Sequence, residues 1–405
     1  MARTALRLSG KEGKKGGLNA TMLAKTFPLS KVESVLTATS KHSERNRLLP
    51  AHVMVYYVIA MTLFMGVSCR EVLRWLMEGL QGLKRTAVAI AAKSAISQAR
   101  ARLGWQPIKQ LYDEMVVPIA QDATRGAWYR GKWRIVSIDG STLDVADEAE
   151  NAASFGRPGA SRGKSGFPQI RFVALVENGT HVLFGAKMAG YRTGENTIAK
   201  TVLPQLKAGM LCLADRGLFS YASWKLALST GADCLWRVKK NADLPCEKRL
   251  ADGSYLSRSY PTQQDRRQQK NGIVVRVIEY RLEGVAGAEP IYRLITSLLD
   301  PEVAPAHELA ALYHERWEIE TSFDELKTHL RGARIILRSK TPDLVKQEFY
   351  GLLLAHFAIR GLMHEAALTA DLDPDRLSFV HTVRIIRRKL PWFNAFPPST
   401  PQNVA

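Results

Sequence analysis

Along the first third of the chain, apolar residues recur every three to four positions, the spacing of a helix with one buried face. The pattern predicts helices over about 30–40, 51–66, 69–80, 89–103 and 107–120, with breaks at Pro50, Gly66, Gly79 to Gly82, and Gly104 before Pro107. After Gly131 the period shortens. Residues 133–139 read as a strand ending on Asp139-Gly140, and a loop rich in Gly, Ser and Arg runs over 148–168. Strands at 169–177 and 180–190 meet at Asn178-Gly179, a strong hairpin dipeptide. A helix over 195–206, an apolar strand over 210–214 that ends at Asp215-Arg-Gly, a helix over 219–229 and a strand over 233–239 follow. Alternation over 272–282 and an apolar run over 291–298 come before two long helices, at about 305–329 and 341–367.

These elements predict an α/β protein with a mixed sheet flanked by helices. An all-helical domain is expected at 1–128, an α/β part from 129 that includes a β-rich stretch, and a basic tail at 371–405. The first and fourth core strands can be neighbours. The apolar run at 53–67 is shorter than the ~20 residues needed to span a bilayer and reads as a buried helix. The first residues carry Arg3, Arg7, Lys11, Lys14 and Lys15 among glycines, a basic arm without the apolar centre of a signal peptide. Cys69, Cys212, Cys234 and Cys246 have neither paired spacing nor histidine neighbours, which argues against zinc and disulfides and for a reducing cytoplasm.

Charge sharpens this picture. The 405 residues carry 57 Lys+Arg against 38 Asp+Glu, a net charge of +19. The excess is +12 over residues 1–130, +2 over 131–327 and +5 over 328–405. Flanks that hold phosphate around a middle that keeps its carboxylates would look like this, and so would a merely solubilising surface. Within the basic first part, the 89–103 helix offers Lys93, Ser97, Gln98, Arg100 and Arg102, short polar and basic side chains suited to a major groove, although an ordinary surface helix can share them. Arg162 and Lys164 in the glycine-rich loop are further candidates for phosphate contacts.

Three acids in the middle carry the chemistry. Asp139 and Asp215 each end an apolar strand before a turn, and each alone could be a turn-starting aspartate. If their strands are neighbours, the two carboxylates stand side by side. On the 305–329 helix, Leu312, Ile319, Phe323 and Leu326 share a buried arc, and Tyr313, Arg316, Glu320 and Lys327 share an adjacent arc of about 60°. Glu315, Glu318 and Glu325 fall elsewhere and read as solvated charge. Three converging carboxylates repel one another unless a cation joins them, and Mg²⁺ prefers such oxygen ligands. Two ions can serve phosphoryl transfer, activating one oxygen and stabilising another.

The spacing Tyr313-x2-Arg316-x3-Glu320-x6-Lys327 resembles the YREK signature of the insertion-sequence-four family of DDE transposases. Residues around Asp139 (Ser137 to Ser141) and Asp215 (Leu213 to Phe219), the stretches 167–176 and 190–195, and Ala95 to Arg100 are similar as well, so that the likeness spans roughly 20–365. The resemblance implies an RNase H-like core in two parts, 129–240 and 301–370, around a β-rich insertion at 241–300, and an enzyme that binds transposon-end inverted repeats, cuts there and joins the ends to target DNA as a homodimer. It implies Asp139, Asp215 and Glu320 as ligands of two Mg²⁺ ions, with Mn²⁺ able to substitute, and Tyr313, Arg316 and Lys327 as contacts to the transposon strand. Some relatives stack a tryptophan of the insertion on a flipped base. Here the nearby tryptophan is Trp236, with Tyr255, Tyr260 and Tyr280 as substitutes. A first-turn acid role at the start of its helix is expected of Glu195. A related nuclease without joining, or a descendant that binds DNA without cutting, would share the fold. The presence of all three acids counts against the descendant.

Overall fold

The computed structural model describes residues 20–43, 49–81, 91–159, 166–282 and 289–389. Six helices come first: Ala20–Thr26 (α1), Leu29–Ala38 (α2), Ala51–Leu63 (α3), Cys69–Gln81 (α4), Lys93–Leu103 (α5) and Gln106–Met115 (α6). Strands Trp128–Tyr129 (β1) and Trp133–Asp144 (β2), helix Ala149–Phe155 (α7), and strands Gln169–Glu177 (β3) and Val182–Gly190 (β4) follow. Then come Glu195–Val202 (α8), Met210–Ala214 (β5), Tyr221–Leu228 (α9) and Asp233–Arg237 (β6). Next in the chain are Lys248–Arg249 (β7), Tyr255–Ser259 (β8), Gln263–Arg267 (α10), Ile273–Tyr280 (β9) and Tyr292–Thr296 (β10). The last helices are Ala306–Tyr313 (α11), Glu318–Asp324 (α12), Pro342–Thr369 (α13) and Phe379–Lys389 (α14).

By its contacts the chain divides into two compact units, one made of residues 120–143 and 155–323, the other of residues up to 119, 144–154 and 324 onward. The first holds a mixed sheet in the order β4-β3-β2-β5-β6-β10-β9-β8-β7, with β1 beside β2. β2, β5 and β6 run parallel, and β6, β10, β9, β8 and β7 continue as an antiparallel series. Parallel strands covered on both faces read as continuous apolar runs, and all five residues of β5 are buried. Trp133, Ile135, Leu211, Leu213 and Leu235 join Leu309 and Tyr313 in one core cluster, which seats α11 on the sheet.

In the second unit, α3 is apolar on every side and buried along nearly its whole length, as expected of a core helix. The helix that resembled a DNA reader, α5, exposes Lys93, Ser97, Gln98 and Arg102. Arg100 corrects that reading. It is 6% exposed, and its Nε and Nη2 donate to Gln347 Oε1 (2.8 Å) and Ser339 Oγ (2.9 Å). The helical period places it on the inner face with Ile96 and Leu103. Glu325 is a second correction. It is 5% exposed, in a π-helical turn over Glu325–Leu330, and accepts from Arg360 Nε at 2.9 Å. The wider turn breaks the 100° period from which a solvated position was expected.

Three boundaries also differ. β2 runs on to Asp144 rather than stopping at Asp139. Residues 149–155, expected in a loop, form α7. The single helix expected over 305–329 is instead α11, a 3₁₀ segment His314–Trp317, α12 and the π turn. Among the described residues no helix is long and apolar enough to cross a membrane. Arg162 and Lys164 lie outside the described residues.

Candidate active site

The site starts from strand pairing. β2 and β5 are parallel, with Ile138 opposite Ala214 as the last pair. Asp139 and Asp215 are each the next residue, so register alone sets them at adjacent places beyond the paired ladder. Gly140 N–H donates to Asp139 Oδ1 at 2.8 Å.

The 3₁₀ turn after α11 brings the next groups. Arg316 is 7% exposed. Its Nη1 stands 3.5 Å from Asp139 Oδ2 and its Nη2 3.5 Å from Glu320 Oε1, so one guanidinium bridges the first aspartate and the helix glutamate. The Tyr313 hydroxyl lies 3.4 Å from both Ala214 O and Asp215 Oδ1, and burial pushes its phenol up. Asp139, Asp215, Glu320, Tyr313 and Arg316 are therefore brought together. Lys327 lies in the π turn of the other unit, half-buried, with its ammonium pushed down by burial and by Arg331.

The hairpin turn fixes the glutamate segment. Ser137 Oγ donates to Asn178 Oδ1 (2.9 Å), Asn178 Nδ2 donates to Glu315 O (2.8 Å), and Gly179 N–H donates to Glu318 Oε2 (2.8 Å). Gly179 has φ +59°, and a Cβ there would meet Ala127 N at 2.7 Å. The Asn-Gly pair that makes the hairpin also clamps the segment carrying Arg316 and Glu320. Glu318 is thus held by a backbone amide rather than solvated, because the 3₁₀ turn rotates the helix face from its expected setting.

Burial and like charge raise two carboxyls of the site. Burial, then the charges of Glu195 and Asp215, push the Asp139 carboxyl up to about 6 against the pull of the Gly140 amide and Arg316. Glu195 is likewise raised, by burial and Asp215, against Arg171. Sequence reasoning gave Glu195 only a place in the first turn of α8. It holds that place, and its carboxyl also lies over Gly140, where an added Cβ would meet Glu195 Cδ at 2.6 Å. The Gly140 next to Asp139 was the available signal.

Two further residues were missed. Arg237, at the end of β6, reaches Asp215 Oδ1 at 3.8 Å and Glu289 Oε1 at 2.8 Å. Trp317 is 57% exposed, with the Arg316 guanidinium 5.2 Å from its ring centroid. Trp236 corrects the aromatic reading. It lies on β6, inside the sheet and 1% exposed, set edge-on to Trp224 at 5.3 Å between centroids. No base can reach it there.

Family models and a curated relative place the chain among transposases. Residues 18–113 match the family model described as insertion element 4 transposase N-terminal, and residues 130–358 match the transposase DDE domain. The transposase InsG for insertion sequence element IS4 of Escherichia coli K12 is 28% identical over 355 residues, 85% of this chain and 77% of that protein. The putative transposase InsZ of the same organism is 26% identical over 206 residues, 50% of this chain and 65% of that protein. Among solved structures, the cryo-EM structure of the piggyBac transposase synaptic complex with hairpin DNA is 12% identical with a TM-score of 0.48, covering 92% of this chain and 80% of that one.

Proposed function

Because this chain belongs to the DDE transposases of the insertion element 4 type, we propose that it binds inverted repeats at transposon ends, cleaves the phosphodiester bonds there and transfers the 3′ ends to target DNA. The observation that carries the reading is the placing of Asp139 and Asp215 at adjacent positions just past the last β2–β5 pair, with Glu320 joined to Asp139 through Arg316. An RNase H-like core is the fold we assign to the mixed sheet, supported by its parallel centre and flanking helices.

A DDE domain implies a divalent metal. The chemistry of the donor set fits such a group, since the donors are hard carboxylate oxygens. Asp139, Asp215 and Glu320 would hold it. Bound Mg²⁺ or Mn²⁺, as two ions, would supply activation of an attacking oxygen and neutralisation of charge at the leaving oxygen. The protein's own groups bind and orient. Arg316, preorganised by burial, takes a phosphate oxygen near the carboxylates. The Tyr313 hydroxyl fixes the Asp215 side chain and keeps its proton. Lys327, seven residues beyond Glu320, is assigned to the same strand. Trp317 offers an exposed ring beside Arg316 on which an unstacked base can lie, the role first expected of Trp236. Positioning and charge stabilisation supply most of the rate in such transfers.

The exposed face of α5 (Lys93, Ser97, Gln98, Arg102) reads the repeat within a domain at 1–128. The β-rich insertion is taken as 241–300, and the working form is a homodimer that pairs two ends. Its setting is the bacterial cytoplasm, on nucleoid DNA. The test is a cleavage assay on duplex carrying the repeats that flank its own gene, with Mg²⁺ or Mn²⁺, for the native protein and for Asp139→Asn and Glu320→Gln. Metal-dependent cutting at the repeat tip, lost in both variants, supports the assignment. Specific binding without cutting in any metal leaves a silent DNA-binding descendant.

A further inference from the structure

We propose that Glu195 is a fourth carboxylate of the metal site, holding a divalent cation together with Asp139 and Asp215; this rests on the metal reading of the three acids above. The argument is one of placement. An acid in the first turn of a helix is stabilised by the backbone amides around it and has no need to approach other carboxylates. Glu195 is held against β2 instead. Its carboxyl occupies the space above Gly140, the residue after Asp139, so closely that an alanine methyl there would stand 2.6 Å from Cδ and 3.0 Å from Oε2. The helix start is tied down from the other side, where Asn196 Nδ2 donates to Gly217 O at 3.0 Å, in the turn that follows Asp215. Glu195 thus lies over β2 beside Asp139, on a helix whose start is tied to the turn after Asp215.

Two of the resident arginines, Arg316 and Arg237, serve other acids. Arg316, 7% exposed, divides its Nη atoms between Asp139 and Glu320, and its buried Nε has no hydrogen-bond partner. Arg237 lies 3.8 Å from Asp215 and 2.8 Å from Glu289. Arg171 faces Glu195 across a distance, with its Nη1 donating to Thr193 O at 3.1 Å and its guanidinium 4.9 Å from the Tyr191 ring centroid. A half-buried carboxylate kept beside two others is unfavourable until a hard dication joins them.

The test is titration of the full-length protein with Mn²⁺ in the absence of DNA, read by electron paramagnetic resonance of free and bound ion. Glu195→Gln, Glu195→Asp, Asp139→Asn and Asp215→Asn are compared with the native chain. Loss of a direct ligand is expected to weaken Mn²⁺ binding about tenfold or more in Glu195→Gln, with partial recovery in Glu195→Asp. Native-like affinity in Glu195→Gln, alongside weakened binding in the two aspartate variants, overturns the fourth ligand and leaves the three-acid reading standing. Native-like affinity in all four overturns both. If Glu195→Gln fails to fold, Gly140→Ala answers the question, since its methyl displaces the Glu195 carboxyl while the residue itself remains. Unchanged Mn²⁺ affinity in that variant also overturns the proposal.

Discussion

Removing the charge of Asp139 is expected to make the metal-free protein more stable, and the size of the gain follows from the site. The Asp139 carboxyl rises from 3.8 to about 6, chiefly through burial, and its side chain is only 24% exposed. A shift of that size corresponds to about 3 kcal/mol, and screening by nearby water reduces this to about 1–3 kcal/mol. The folded protein keeps a proton that the unfolded chain releases between about pH 4 and pH 6. Stability therefore falls as pH rises through that window, and the full cost is present above it. Asp139→Asn removes the cost and retains an oxygen to accept the Gly140 amide. In chelator at about pH 7.5 the variant should melt a few degrees above the native protein, at roughly 2–4 °C per kcal/mol for a unit of this size. The two should converge near pH 4, and Mn²⁺ should raise the native melting temperature well above any effect on the variant. A variant that melts at or below the native protein at neutral pH, with a gap that does not change with pH, would refute the claim that burial among like charges strains this site.

Other perturbations separate chemistry from scaffolding. Glu320→Gln should lower cleavage on the order of 10³-fold while repeat binding in a mobility-shift assay stays intact, because the loss falls on transition-state stabilisation. Lys93→Ala and Arg102→Ala, on the exposed face of α5, should each reduce the salt slope of DNA binding by about 0.9 without altering the melting temperature. Arg100→Ala should instead destabilise by about 2–3 kcal/mol in urea unfolding, since Gln347 and Ser339 lose a buried partner. Trp317→Ala should leave folding untouched and slow strand cleavage on intact duplex more than on substrates with a mismatched terminal pair, as measured in single-turnover reactions. Gly179→Ala should cost about 1–3 kcal/mol, from φ +59° and the clash with Ala127 N, and the loosened clamp should lower activity further than the melting shift explains.

Local pattern was enough to show much of this. The parallel neighbours β2 and β5 were legible because strands covered on both faces read as unbroken apolar runs, and the crossover between them needs helical length. The Asn178-Gly179 hairpin was legible because few other pairs tolerate its backbone. Asp139, Asp215, Tyr313, Arg316 and Glu320 could be chosen from expected places at strand ends and along one helix, although β2 runs past Asp139 and the helix is broken, with family likeness giving the choice its chemistry. Other features depended on non-local contacts. Whether Arg100 faces DNA or the core depends on Gln347 and Ser339, more than two hundred residues away in sequence. The burial of Trp236 depends on β10, far along the chain, joining β6. The 3₁₀ and π turns that set Arg316 inward and bury Glu325 break the single period on which the helix reading relied. Glu195 looks like any first-turn acid until α8 is laid beside Gly140. Sequence by itself determined which residues could bear charge at the ends of buried elements, because period and composition are local. Tertiary structure decided which of those charges meet, because burial and approach depend on partners far away along the chain.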